Sequence, residues 1–229
     1  MKAVLFDIHG NLPALDAVLA DARAAGAREL VLGGDYALFG AFPLETVSRL
    51  RELDALWIRG NTDRWLEDAS DLPASELNER SLAHCRGALG TLAAELAALA
   101  PTTVVDGALV CHASPRSDMR SFMPTAGEQD AELLSDEDPD VIVFGHTHLQ
   151  FQRPSGRHTL VNPGSVGLPF DGDRRAAYAL WRGAGDFELR RVDYDSDGYA
   201  AEVRKRLGPA VGDAVETLVR RVKDAAFAT

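Results

Sequence analysis

Ala3-Val4-Leu5-Phe6-Asp7-Ile8-His9-Gly10-Asn11 is a short apolar run that ends in a polar island. Glu29-Leu30-Val31-Leu32-Gly33-Gly34-Asp35 repeats the pattern after a helix-like stretch from Leu12 to Ala24. The apolar runs are too short for helices, and the stretch between them has helical periodicity. The rhythm continues with a helix over Leu44 to Leu53, with Pro43 at its first position where a missing N–H is no loss, and a third run from Ala55 to Ile58. Strand, helix, strand, helix, strand with short glycine-rich joints predicts a mostly parallel sheet covered by helices.

Further along the chain, Ser75 to Leu99 reads as one long helix stopped by Pro101, and Thr125-x-x-Glu128 reads as a capping box opening a helix to about Ser135. After Pro101, strand-like runs crowd together at 102–105, 108–111, 141–144, 149–151, 159–161, 176–181 and 187–192, with a tight turn over Arg182 to Asp186. They predict a second, more antiparallel sheet. A break is expected at Gly208-Pro209. Beyond it Val211, Val215, Leu218, Val219 and Val222 form one apolar helix face, which must pack on the domain or on a partner. The chain reads as a single domain over residues 1–229, with C-terminal helices at about 197–226 and that face as a candidate surface for homo-oligomer formation.

The 229 residues carry 24 basic and 35 acidic side chains, a formal net charge of −11, which excludes general nucleic-acid binding through the phosphate backbone. Cys85 and Cys111 are far apart with no CxxC pair, as suits a reducing compartment. Only Ala3 to Phe6 precede the first charged island, too few for a signal-peptide core, and no membrane-length apolar run follows. A cytoplasmic protein without membrane association is expected.

Five polar islands each follow a predicted strand: Asp7-Ile-His9-Gly-Asn11, Gly33-Gly-Asp35, Gly60-Asn-Thr-Asp63, Cys111-His112 and Gly145-His-Thr-His148. In an open α/β sheet the crevice at the carboxyl ends of the strands binds ligands, so the islands converge. Asp7, His9, Asp35, Asn61, His112, His146 and His148 are oxygen and imidazole donors without a thiolate, suited to Mn, Fe, Zn, Ni or Co. Alternate residues of an extended chain face one way, so Asp7 with His9, and His146 with His148, can each serve one pocket. Seven donors exceed what one ion with open positions needs; two ions sharing one carboxylate accommodate them.

The ordered set DxH, GD, GN, H and GHxH resembles the calcineurin-like metallophosphoesterases, and Asp7 to Asn11, Gly60 to Asp63 and Asn162-Pro-Gly-Ser-Val166 resemble their small bacterial and archaeal predicted phosphodiesterases. The resemblance covers about Met1 to Val166. It implies a four-layer α/β/β/α sandwich of two mixed sheets flanked by helices. It also implies one ion on Asp7, His9 and His148, a second on Asn61, His112 and His146, and Asp35 bridging, with Asp35, Asn61 and His112 catalytic and Mn²⁺ the favoured metal. A hydroxide between the ions would then attack a small phosphoester, most simply a diester. Two divalent ions less Asp7, Asp35 and hydroxide leave a formal +1, which attracts a phosphodiester monoanion despite the overall charge. Many members carry His where this chain has Thr62, so the leaving-group acid is replaced or absent. Thr62 reads alternatively as a helix N-cap for residues 63–68.

Asn11, Thr62 and Tyr36 are the candidate substrate contacts. Asn11 serves equally as the N-cap of the Leu12 helix, and Tyr36, Phe39 and Phe42 serve equally as packing. Asn162 reads as a turn residue before Pro163, although the resemblance places its loop near the site; Cys111 reads as a small buried apolar residue, His84 and His158 as ordinary helix and strand residues, and 136–140 as a solvated acidic loop. A non-catalytic interaction scaffold on the same fold, as in the retromer subunit resembling this family, is the rival reading, with a phosphomonoesterase or dinucleotide polyphosphate hydrolase as rivals within the enzyme class.

Overall fold

The computed structural model describes residues 1–183 and 185–227. The opening pattern folds as read: β1 (Lys2–Leu5), α1 (Leu12–Ala24), β2 (Glu29–Leu32), α2 (Pro43–Arg51) and β3 (Ala55–Trp57), with β1, β2 and β3 parallel neighbours. Pro43 begins α2 and Asn11 caps α1. A single turn, α3 (Asn61–Arg64), follows β3. The expected long helix is two, α4 (Glu76–Leu89) and α5 (Leu92–Ala97), because the backbone turns left-handed at Gly90 (φ 56°), which ends α4.

The second half supplies β4 (Thr102–Val105), β5 (Ala108–Cys111), α6 (Gln129–Leu133), β6 (Val141–Val143), β7 (Gln150–Ser155), β8 (His158–Pro163), β9 (Ala176–Gly183), β10 (Asp186–Val192), α7 (Ser196–Val211) and α8 (Val215–Asp224). The capping box at Thr125 does not form. Both its residues are exposed, and α6 begins one residue after Glu128, placed by the buried Asp130, whose carboxylate accepts from Arg153 at 2.7 and 3.0 Å.

The strands make two five-stranded sheets, ordered β10-β9-β1-β2-β3 and β4-β5-β6-β8-β7. The last two strands therefore leave the second sheet that the sequence assigned them to. β9 runs antiparallel beside β1, with Val4 opposite Ala179, and β10 flanks it. Without them the second sheet is mixed, with parallel β5-β6 and β6-β8 pairs inside antiparallel edges. The residue at the centre of the β9–β10 turn, Ala184, lies outside the described residues.

Period-two alternation builds the layers. Val4, Phe6, Val31, Ala179 and Trp181 of the first sheet meet Val110, Val143 and Val161 of the second, while Ala3, Leu5, Leu32, Tyr178 and Leu180 face α1, α2, α4 and α5. On the outer side of the second sheet, Cys111, Ile142, Phe144 and Leu160 pack under Phe122 and Leu133. The result is a four-layer α/β/β/α sandwich.

The C-terminal helices add a separate cluster. Val215, Leu218, Val219 and Val222 of α8 are buried against Tyr199, Val203 and Leu207 of α7. The apolar face thus packs within the chain. α7 runs through Gly208-Pro209 to Val211 and stops at Gly212 (φ 62°). Buried Leu207 and Val211 on either side hold the helix across the N–H that proline removes.

Candidate metal and substrate site

All seven predicted donors meet at the carboxyl ends of β1, β2, β3, β5 and β6, where each strand passes into a loop. The first two loops are zipped by backbone bonds, with Asp7 N–H donating to Gly34 at 3.1 Å and His9 N–H to Asp35 at 2.9 Å. Gly145 N–H donates to the His112 carbonyl at 2.8 Å, joining the loops of the second sheet. Five of the donors, Asp7, His9, Asp35, His146 and His148, have positive φ between 47° and 67°. Asp and His tolerate this region better than most residues, yet each such residue costs about 1 kcal/mol or more, and such outliers cluster at functional sites. Gly60 has a steric duty here, since a Cβ would lie 2.1 Å from Asp35 Oδ1 and 2.8 Å from the His112 ring.

Three imidazoles are fixed in orientation, and in one tautomer whenever they are neutral. His9 Nδ1 and His112 Nδ1 each lie 2.9 Å from a backbone carbonyl, of Leu38 and Gly33, and His148 Nδ1 binds the Leu168 carbonyl. A carbonyl only accepts, so each Nδ1 carries hydrogen and each Nε2 of a neutral ring presents a lone pair to the centre. Burial lowers the pKa of His9 and His148 and keeps them neutral, so their Nε2 atoms, 3.2 Å apart, face each other lone pair to lone pair. That arrangement is repulsive unless a cation lies against both.

The carboxylates complete two groups, Asp7-His9-His148 and Asp7-Asp35-His112, within each of which the donor atoms lie within 4.8 Å of one another. Asp7 Oδ1 is 3.5 Å from His148 Nε2 and 3.9 Å from His112 Nε2, whereas Asp35 turns Oδ2 to His9 at 3.7 Å and Oδ1 to His112 at 3.5 Å. Both carboxylates thus reach both groups. Asn61 Oδ1 and His146 Nδ1 meet at 3.0 Å beside the second.

Burial drives the Asp7 carboxyl up to about 8 against the pull of His112, and desolvation with Asp35 nearby drives Asp63 to about 7. At Asp35 the burial effect is outweighed by His112 and the other imidazoles, which hold it below the usual range. Burial disfavours protonated His112, but Asp35 and Asp7 override it and raise the ring to about 10; burial and His112 lower His146 to about 4. Asp7 Oδ1 and His112 Nε2 are buried without any hydrogen-bond partner. Orphaned buried polar atoms are costly, and two facing each other across a ring of donors fit divalent metal.

The candidate substrate contacts fare differently. Asn11 is fully buried; its Oδ1 accepts from Ala14 N–H at 3.1 Å and its Nδ2 donates to the Gly167 carbonyl at 2.9 Å, so it is the N-cap and does not reach substrate. Tyr36 is also sealed in the core, its hydroxyl bound to the Ile58 and Leu32 carbonyls, and it is not a substrate contact. Thr62 does line the site cavity but caps no helix. Gly60 holds the N-cap position of α3, Thr62 N–H donates to Asp35 Oδ1 at 3.0 Å, and its buried Oγ1 has no partner. Phe39 borders the cavity, while Phe42 packs under Arg206.

Sequence reasoning missed much of the support. The Asp63 carboxylate accepts from the N–H groups of Gly60, Asp35 and Tyr36 at 2.8, 2.7 and 3.1 Å, locking the second and third loops together. Asn162 is a turn residue, accepting from Gly164 N–H, and also donates to the Gly145 carbonyl and Thr147 hydroxyl, steadying the His146-His148 loop. The only signals for these roles were the islands' own Asp63 and the Asn162-Pro-Gly-Ser-Val166 stretch. Asp118 paired with Arg64 at 2.7 Å, and Met119 beside it on the cavity wall, carried no sequence signal.

A sandwich with an oxygen-and-imidazole cluster at its strand ends defines a metal-binding α/β protein. Residues 1–182 match the calcineurin-like phosphoesterase superfamily domain, and the chain belongs to that superfamily of metal-dependent phosphoric ester hydrolases. It is similar over 98% of both chains to a metallophosphoesterase from Sphaerobacter thermophilus, at 25% identity and a TM-score of 0.80. A hypothetical protein from Pyrococcus horikoshii OT3 shares the fold at 18% identity and a TM-score of 0.78, over 95% of this chain and 98% of that one. An uncharacterized protein of Methanocaldococcus jannaschii is 28% identical over 238 residues, 93% of this chain and 96% of its own. No helix among the described residues is long and apolar enough to cross a membrane.

Proposed function

We propose that the protein is a dinuclear metal-dependent phosphodiesterase acting on a small phosphorylated molecule, with Mn²⁺ its favoured metal. The observation that carries the reading is the convergence of orphaned Asp7 Oδ1 and His112 Nε2 with the lone pairs of His9 and His148, a completeness that a scaffold has no need to keep. Asp7, His9 and His148 would hold one ion and Asn61, His112 and His146 the other, with Asp35 between. Such a pair supplies an activated water and neutralises charge on the phosphoryl oxygens. The chain's own part is orientation. The Leu38, Gly33 and Leu168 carbonyls fix three rings, and Asp63 fixes the backbone that aims Asp35. Two buried free cysteines agree with a cytoplasmic setting.

Purified protein loaded with Mn²⁺ or Ni²⁺ is expected to hydrolyse an activated aryl phosphodiester faster than the matching monoester. Folded, metal-loaded protein that cleaves no diester rejects the proposal. Thr62 gives a second prediction, because no imidazole stands where a leaving-group acid is needed. Thr62→His is expected to raise turnover of diesters with poor leaving groups by about tenfold or more, with little gain on nitrophenyl esters. A rate series over leaving-group pKa checks this, and an unchanged slope counts against it.

A further inference from the structure

Arg221 lies on α8, beyond the residues matched by the superfamily domain, yet it borders the same cavity as His9, Asp35 and Asn61. Leu218, Val219 and Val222 set its direction. They bury one face of α8 against α7, and Arg221 emerges on the flank of that face, half-buried, while Arg220 and Lys223 stay exposed. From the donor cluster outward a stack of flat groups leads to it. Phe170 lies on the His148 ring with centroids 4.4 Å apart and planes 14° from parallel. Phe227 meets Phe170 edge-on at 5.4 Å, and the Arg221 guanidinium sits over Phe227 at 4.5 Å. The cavity is about 710 Å³, many times a phosphoryl group and in the range of whole small-molecule sites. Phe227 is 65% exposed at its mouth, an aromatic face that a bound ligand would cover.

We propose that Arg221, with Phe170 and Phe227, is the substrate-selecting wall of this site, reading a phosphoester that carries a flat aromatic group and a second anionic group besides the phosphoryl held at the cluster. The proposal rests on the phosphoesterase reading above. The guanidinium is permanently charged, planar and suited to forked bonding of phosphate or carboxylate, and stacking on Phe227 limits the freedom it loses on binding. The aromatic faces take the flat part of the ligand, which is tolerant of its identity because any such ring offers a π face. α8 therefore contributes specificity to a site whose chemistry belongs to residues of the two sheets. In a chain of net charge −11 the wall also places a cation at the border of the cavity that would take an anionic ligand.

The test is binding to the metal-loaded full chain, by calorimetry, with inorganic phosphate, AMP, ADP and adenosine 3′,5′-bisphosphate as probes. Arg221→Gln keeps a planar amide but removes the charge. It is expected to weaken ADP or the bisphosphate by about 10- to 100-fold, as for a lost charge-assisted contact, with AMP and phosphate held within twofold. Arg221→Lys is expected to recover part of the loss. Phe227→Ala, a change at an exposed position that leaves folding intact, is expected to weaken AMP by about threefold or more relative to phosphate. Equal weakening of all four probes by Arg221→Gln assigns Arg221 a structural role only and overturns the proposal, as does no weakening of any. Wild-type protein that holds metal but binds none of the probes rejects the phosphoesterase reading, and this proposal falls with it.

Discussion

Asp35→Asn is expected to lower kcat/KM on an aryl phosphodiester by about 10³-fold, equivalent to ~4 kcal/mol of transition-state stabilisation. Asp35 is the carboxylate whose two oxygens face different imidazoles, His9 by Oδ2 and His112 by Oδ1. An amide keeps the shape, the acceptor for Thr62 N–H and the tolerance of a left-handed backbone at φ 60°, but removes the negative charge and one oxygen donor. Alanine would confound this by adding backbone strain. The raised pKa of His112 is also expected to fall once the carboxylate that supports it is gone. Elemental analysis after dialysis should show fewer than two ions per chain, with circular dichroism unchanged. A variant that keeps two ions and turns over within tenfold of the parent would remove Asp35 from the position of shared ligand.

Removing metal is expected to destabilise the fold sharply. A ligand at about 1,000 times its dissociation constant stabilises by roughly 4 kcal/mol, and each kcal/mol moves Tm by about 2 to 4 °C at this chain length, so chelation should lower Tm by about 8 to 16 °C. The physical cause is visible in the cluster, where Asp7 Oδ1 and His112 Nε2 are orphaned and two imidazole lone pairs oppose each other. The pH dependence of the chelated protein has a defined sign. His112 is raised from 6.5 to about 10 and Asp7 from 3.8 to about 8, so from pH 7 to 9 the folded chain holds more protons than the unfolded one. Stability then falls as pH rises, by up to about 1.4 kcal/mol per unit for each proton carried. Bound metal displaces these protons, so the loaded protein should lack that decline. Thermal melts with and without chelator at pH 7, 8 and 9 measure both effects. Parallel curves with no Tm difference would mean that the donors hold no ion.

The parts of this architecture written in local pattern were legible without coordinates. β1, α1 and β2 fall where period and capping place them, because an apolar run bounded by a polar island, or Asn11 before Leu12 and Pro13, determines structure within a few residues. The seven donors were legible for a related reason. They sit in islands that strands deliver to one edge, so their order along the chain implied a common place. Gly90, by contrast, splits a stretch that composition favours as one helix. Its effect depends on a left-handed turn that the packing of α4 and α5 accommodates.

Other features depended on distant partners and left no local trace. β9 has the pattern of any strand, and its place beside β1 is set by pairing and by the Tyr178 and Arg190 side chains bonding Asp21 on α1. Tyr36 follows Asp35 directly, yet the twist of its loop sends the hydroxyl to the Ile58 carbonyl and away from substrate. Arg221 is remote in sequence from the donors whose cavity it borders. Residue type and spacing alone encode most of the strand and helix frame, the order of the polar islands that converge at one edge, and the superfamily resemblance. Which carbonyls orient the histidine rings, which imidazoles each carboxylate faces, which residues buttress the loops and which helix walls the cavity follow from the folded chain alone, because each depends on contacts between segments far apart in sequence.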